Sequence, residues 1–102
     1  MNNTYIQQST AGTGTTVTCQ DTGQNVLVVH NTAGIATLTL ALPATPIDGQ
    51  VIRFSSGGGI VTLTVTSAFA GSTIIGAVAT VATGTAQEFT YVKNTNIWYK
   101  TI

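Results

Sequence analysis

The sequence predicts an all-β protein, an antiparallel sandwich or jelly-roll-like barrel of about nine short strands, in which no helix can be placed. In residues 38–42 (LTLAL) and 61–65 (VTLTV), large apolar residues recur at every second position and Thr or Ala fills the gaps. Successive side chains of a strand point to opposite faces, so this period places Leu and Val inward and Thr outward. Turn-forming clusters recur about every ten residues, which is typical of sandwiches and barrels. The two-residue period and the many β-branched residues argue against a helix.

A third strand is predicted between these two runs, at residues 50–54 (QVIRF). The same alternation places Ile52 and Phe54 inward and Arg53 outward. The Asp48-Gly49 pair before it predicts a tight turn, because Asp accepts local backbone hydrogen bonds and Gly adopts positive φ without steric cost.

The glycine-rich run at residues 55–59 (SSGGG) is predicted to be a hairpin connection. A phosphate-binding loop would have to open a helix whose N-terminal amides face the anion. The residues that follow, 60–66 (IVTLTVT), form a strand pattern instead. The run therefore does not indicate a nucleotide site.

The remaining elements flank this central segment. Residues 1–14 are interpreted as a polar N-terminal arm in which Tyr5 and Ile6 are the only large aromatic or branched apolar residues, with a short edge strand at 4–8 as the alternative. Residues 15–102 are expected to form a single β domain. Its further strands are predicted at 15–20, 26–30, 73–75, 78–81, 87–93 and 97–100, the last two as a hairpin.

The composition indicates a protein that works in an assembly. Only 6% of the residues are charged and the formal net charge is zero, whereas about a quarter are charged in ordinary soluble domains. Such a chain does not attract a polyanion, which argues against nucleic acid as a partner. A charge-poor surface gives little repulsion between copies, and large apolar patches usually mark interfaces.

The single cysteine and the N-terminal segment bear on the compartment. Cys19 has no second cysteine to pair with and is interpreted as a small buried hydrophobe. The N-terminal segment lacks the basic region and apolar core of a signal peptide, and no segment reaches the roughly 18 apolar residues of a membrane helix. We therefore expect no membrane partner and a location in the cytoplasm or in a particle assembled there.

The ionisable residues offer little material for catalysis. His30 is the only histidine, and the chain has three carboxylates; a catalytic histidine needs an orienting acid and a nucleophile or substrate proton within reach. One His and one Cys cannot supply a four-ligand metal shell within one chain, although symmetry copies of His30 or of Asp residues around a threefold axis could. The sequence predicts no enzyme and no catalytic, cofactor-binding or metal-binding residues.

The aromatic residues near the C-terminus allow two interpretations. Phe89, Tyr91, Trp98 and Tyr99 could form a face on which a sugar stacks, because aromatic rings offer amphipathic contact surfaces. Trp98 and Tyr99 point to opposite faces of a strand, so at most one of them joins Phe89 and Tyr91. Core packing is favoured over a carbohydrate platform at Trp98 and Tyr91.

Part of the chain resembles a small β module of bacteriophage virion proteins. The similarity covers residues 35–102 and rests on a leucine-alternating strand that ends in Pro, a Gly-Gln-x-Ile-x-Phe-type strand, a Thr-Leu-Thr-Val strand, a Gly-x-x-Ile-x-Gly-type segment, an aromatic strand and a closing Trp-Tyr hairpin. Here these are 38–43, 49–54, 62–65, 71–76, 89–93 and 98–99. The resemblance implies a head-decoration, head-fibre or tail-fibre module, often trimeric, with no catalytic residues.

We therefore expect a non-enzymatic viral structural protein that decorates a phage head. The expected partners are two further copies, in a homotrimer, and the major capsid protein or other virion proteins, with Tyr5 and Ile6 of the arm as capsid anchors. The alternative is a tail- or head-fibre tip that binds a host-surface receptor or carbohydrate through Trp98 or Tyr91. A native start at Met1 favours the decoration protein, and an excised fragment places the two on equal rank.

Overall fold

The computed structural model describes residues 4–21 and 23–101, and within them it contains nine strands and no helix. This confirms the predicted all-β composition. The number of strands also matches the predicted nine, but the predicted strand at 78–81 is reduced to an isolated bridge at Val81, and a strand at residues 4–9 takes its place in the count. The first three residues of the predicted arm and Thr22 of a predicted turn lie outside the described residues. The strands are β1 Thr4–Ser9, β2 Thr15–Thr18, β3 Asn25–His30, β4 Ile35–Leu42, β5 Val51–Ser56, β6 Ile60–Ser67, β7 Thr73–Ile75, β8 Ala86–Val92 and β9 Ile97–Lys100.

The first six strands form three coils that pass back and forth between two sheets. β1, β3 and β5 lie side by side and parallel in one sheet, and β2, β4 and β6 lie side by side and parallel in the other. Each coil contributes one strand to each sheet, so the architecture is a β-solenoid of stacked parallel coils. The predicted antiparallel sandwich or jelly-roll barrel is wrong.

The error has a physical cause. Alternation of apolar and polar residues reports that one face of a strand is buried, and it is the same for parallel and antiparallel neighbours. Parallel neighbours need a crossover between them, which is usually a helix. In this chain the crossover is a strand of the opposite sheet, so an all-β pattern contains parallel pairs.

The glycine-rich run shows the difference most directly. It joins β5 in one sheet to β6 in the other, so the prediction of a hairpin connection was wrong. A Cβ atom on Gly58 would lie 2.6 Å from the carbonyl oxygen of Thr32 and 2.7 Å from the Cα of Ala33. The corner of the third coil therefore packs directly on the corner of the second, and Gly58 permits that approach.

The core lies between the two sheets, in columns of aligned side chains. Val26 of β3, Ile52 of β5 and Phe89 of β8 form one column, and all three are buried. The residues predicted to point inward are buried at Leu38, Leu40, Leu42, Ile52, Phe54, Leu63, Phe89 and Tyr91. Val61 is an exception at 66% exposed, because Ile60 and Leu63 both point inward and the alternation breaks between them.

The C-terminal third closes one end of the solenoid. β8 pairs antiparallel with β5, and β9 pairs antiparallel with β8 as the predicted hairpin, while β7 pairs parallel with β9. Residues 79–81 lie along the free side of β6: Val81 forms an antiparallel bridge with Ile60, and the carbonyl of Ala79 accepts from the amide of Leu63. The edges of the third coil are thus covered by the chain itself.

Candidate functional site

The opposite end of the solenoid has two unpaired strand edges. In the described part of the chain, β1 pairs only with β3 and β2 pairs only with β4. We call the surface formed by β1 and β2 the open end. Unpaired edges present rows of backbone donors and acceptors, which are a template for pairing with another chain.

The open end includes most of the segment predicted as a polar arm. Its residues 4–9 form β1, which corresponds to the edge-strand alternative. β1 pairs with β3 along the whole length of the strand. Tyr5 and Ile6, the predicted anchors, both lie on β1 and are 40% and 53% exposed. The structure thus brings both residues to the open end.

Gln7 closes the interior of the solenoid at this end. It lies in the same inward column as Val28, Phe54 and Gln87. Its Nε2 donates to the carbonyl of Thr18 at 2.8 Å, and its Oε1 accepts from the amide of Gln20 at 2.9 Å. A hydrogen-bonded amide therefore terminates the apolar column and engages the carbonyl of Thr18 on β2, while neither β1 nor β2 has a second strand beside it in the described part of the chain.

The opposite end, where β8 and residues 79–81 cover the third coil, is called the closed end, and it also has an inward glutamine. Its inward glutamine, Gln87, accepts from the amide of Val78 at 3.0 Å and donates to the carbonyl of Val78 at 2.9 Å. This pair of bonds fixes the segment that leads into the covering residues 79–81. The outermost strand there, β7, has only three residues, and short edge strands deter edge-to-edge association.

His30 lies in the core, in a column between Ser9 and Ser56. Its ring is stacked on Phe54 with 6.1 Å between centroids, and its Nδ1 is 3.0 Å from the hydroxyl oxygen of Ser9. Its Nε2 has no hydrogen-bond partner among the residues that the structure describes, 4–21 and 23–101. Desolvation by burial lowers the pKa of His30 below its ordinary value. A neutral, buried imidazole bonded to a serine suits a structural role.

We expect the stability of the protein to fall as the pH falls below about 6.5, the ordinary pKa of histidine. Because the pKa of His30 is lowered in the fold, the unfolded chain binds the proton first, and that uptake favours unfolding. Stability from this source is full above the unfolded pKa and is lost as the pH falls towards the folded one. Urea unfolding at several pH values between 7 and 5 measures it.

The control for this experiment is His30→Leu, in which that part of the pH slope should disappear. The carboxylates remain the same in both proteins, so their contribution cancels in the comparison. Equal slopes for the wild type and the variant would contradict the assignment to His30.

Cys19 and the carboxylates are the other groups that could carry chemistry. Burial raises the pKa of Cys19 to about 12, so the thiol stays protonated and is a poor nucleophile. Within residues 4–21 and 23–101, no three His, Cys, Asp or Glu side chains are grouped so that they could hold a metal ion. The same residues include no helix of the length and apolar character needed to cross a membrane.

The structure places Trp98 and Tyr91 in the core. Both are buried, and their rings pack on each other with 5.2 Å between centroids. Neither ring face is therefore available for stacking on a sugar. Instead, Phe69 lies at the surface, 38% exposed, with its ring edge-on to Tyr91 at 6.3 Å. Sequence reasoning passed over Phe69, whose only signal is one large aromatic residue in a loop of small residues (SAFAGS).

Comparison of the chain with protein-family models, curated proteins and solved structures gave no significant match. The resemblance to a phage virion module thus stays a prediction from the residues. The open end and the surface around Phe69 are the two structural features that bear on function.

Proposed function

We propose that the protein is a non-enzymatic structural protein of a bacteriophage virion, a capsid decoration protein that assembles as a homotrimer through its open end. The observation that carries the proposal is the contrast between the two ends of the solenoid. One end is closed by residues 79–81, and the other leaves the edges of β1 and β2 unpaired.

Unpaired edges favour association because backbone hydrogen bonds can extend a sheet from one chain into the next. Charged residues on the edge, especially Lys, are one of the means by which proteins protect exposed edges. β1 and β2 contain none, since their sequences are TYIQQS and TTVT. The exposed side chain of Ile6 adds apolar surface beside the edge. An edge without charged residues is compatible with solubility when a partner covers it.

The two edges also suit a closed ring. A cyclic assembly needs two different surfaces that fit each other, so that each copy contacts the next. The open end offers two such surfaces, β1 from one sheet and β2 from the other. In such a ring, β1 of one copy would pair with β2 of its neighbour. Trimeric assembly is also what the resemblance implies.

We expect light scattering after size exclusion to give three times the 10.5 kDa of one chain. Ile6→Lys should lower that mass to one chain, since each β1–β2 contact would then carry a charged ammonium group beside the joined edges, and a charge there opposes edge pairing. The matched control is Ile75→Lys, because Ile75 is also an isoleucine on an outer strand of the same sheet, 52% exposed. Ile75→Lys should leave the mass unchanged.

Two results would contradict this assembly. A wild-type mass of one chain at high protein concentration would rule out self-association. Equal loss of the trimer in Ile6→Lys and Ile75→Lys would show that the contact is not at the open end. Circular dichroism of each variant establishes that the fold is intact, so that a lower mass can be assigned to the interface.

The fibre-tip alternative loses the residues on which it depended. Trp98 and Tyr91 are both buried, and exposing either ring would require opening the core. Their burial argues against carbohydrate recognition at those two positions.

A further inference from the structure

A cleft lies where three loops meet at the surface. The loops are residues 43–50 between β4 and β5, 68–72 between β6 and β7, and 93–96 between β8 and β9. The cleft has a volume of about 530 Å³, which is within the usual range for small-molecule sites, roughly 300–1,000 Å³. It contains no residue of β1 or β2, so it is separate from the open end and does not depend on the proposed assembly.

The loops are tied to one another around Asn96. The hydroxyl of Tyr91 donates to Oδ1 of Asn96 at 2.6 Å, and Nδ2 of Asn96 donates to the carbonyl of Ala70 at 3.4 Å. The carbonyl of Asn96 accepts from the amide of Thr73 at 3.3 Å. Asn96 itself has a φ of 56°, the one positive value at a non-glycine residue among those described. Asn tolerates this conformation better than most residues, so the turn is held in one geometry.

The first loop is fixed in the same way. Oδ1 of Asp48 accepts from the amide of Lys93 at 2.9 Å, and the amide of Gly49 donates to the carbonyl of Tyr91 at 2.8 Å. Three loops that hydrogen-bond to each other form a largely preformed site. A preformed site loses less conformational entropy on binding than a flexible one.

The lining combines an apolar wall with a polar rim. Phe69 and Ile47 supply exposed apolar surface, and Asp48, Lys93 and Asn96 supply a carboxylate, an ammonium and an amide. Between the described residues, the only ion pair joins Arg53 to Glu88, so Asp48 and Lys93 do not neutralise each other by contact. Their charges cancel in sum. Among the described residues, Oδ2 of Asp48 and the ammonium of Lys93 have no hydrogen-bond partner and can bond a ligand, while Oδ1 of Asp48 is held by the Lys93 amide.

We infer that this cleft binds a neutral saccharide, with a pyranose ring against Phe69. A pyranose has apolar C–H faces and a rim of hydroxyls, which matches an aromatic wall bordered by donors and acceptors. Hydroxyls both donate and accept, so they can use the carboxylate of Asp48 and the ammonium of Lys93 together. The zero net charge of the rim favours an uncharged ligand over a phosphate or a carboxylate. The volume admits more than one sugar unit.

The test is an NMR titration of the folded, isotopically labelled chain with the methyl glycosides of glucose, galactose and mannose. We expect at least one glycoside, at millimolar concentration, to shift the backbone amides of Ala70, Lys93 and Asn96. Phe69→Ala should weaken that binding at least tenfold, and the fold should survive because Phe69 is on a surface loop. Asp48→Asn should weaken it several-fold, since Asn keeps an oxygen that can accept from the Lys93 amide but replaces the second, charged oxygen with an NH2 donor.

The matched control is Ile75→Ala, an exposed residue outside the cleft, which should bind as the wild type does. No shifts with any of the glycosides would overturn the inference, and so would unchanged affinity in Phe69→Ala. Glycine and other zwitterionic amino acids are a second set of probes, because a carboxylate and an ammonium could also hold them. Shifts with amino acids and none with glycosides would assign the cleft to a different ligand class.

Discussion

Phe54→Ala is expected to lower the free energy of unfolding by about 3–5 kcal/mol, the usual cost of removing a buried aromatic ring. Phe54 is fully buried on the middle strand of its sheet, where β5 pairs with β3 on one side and β8 on the other. Its ring stacks on His30 and lies in the column between Val28 and Gln87. Because strands flank it on both sides, the surrounding structure cannot collapse into the space that the ring leaves.

Urea unfolding followed by circular dichroism measures this change, and Thr64→Ala is the matched control. Thr64 lies on β6 with its side chain exposed on the outer face, and substitutions at such positions usually change stability by less than about 0.5 kcal/mol. If Phe54→Ala cost no more than Thr64→Ala, the ring would not be in the core and the assignment of faces would be wrong.

Gly58→Ala is expected to cost about 2–3 kcal/mol, the upper part of the 1–3 kcal/mol range typical of overpacking a well-packed site. The added methyl group would lie 2.6–2.7 Å from backbone atoms of Thr32 and Ala33 in the preceding coil. Backbone cannot rotate away as a flexible side chain can, so the two coil corners would have to separate. That separation would also disturb the bond from the amide of Gly57 to the carbonyl of His30.

The control for this change is Gly12→Ala. A Cβ atom on Gly12 would have no other atom within 4 Å, and Gly12 is not among the glycines with positive φ. We expect Gly12→Ala to leave stability unchanged or to raise it slightly, because Ala restricts the unfolded chain more than Gly does. Equal destabilisation by the two substitutions would contradict the stacking of coil corners.

The strands and their buried faces were predictable because they depend on local pattern. Leu38, Leu40 and Leu42 are inward and buried as predicted, since every second side chain of a strand meets the same face. Val61 shows where the pattern fails. The residues on both sides of the break, Ile60 and Leu63, are apolar and inward. Because Val61 is apolar as well, the sequence IVTL does not indicate which of its apolar residues lie on the buried face.

The candidate sites were predictable only in part. Tyr5 and Ile6 stood out because they are apolar residues in a polar segment, and they do lie on the open end. Phe69 did not stand out, because its exposure depends on the loop between β6 and β7 and on its neighbours Tyr91 and Asn96. Tyr91 and Asn96 are distant from Phe69 in the sequence, and no spacing in the sequence indicates that they meet.

The sequence by itself determined an all-β chain, the positions of most strands, most of the inward residues and the scarcity of charge, since these follow from residue type and a two-residue period. Only the tertiary structure decided that the strands run parallel in stacked coils, that one end is closed while the other is open, and that three loops form a cleft. Strand direction and pairing are set by contacts between residues far apart in sequence, such as β3 with β5 and Gly58 with Ala33. A pattern read along the chain is the same for either direction of the neighbouring strand.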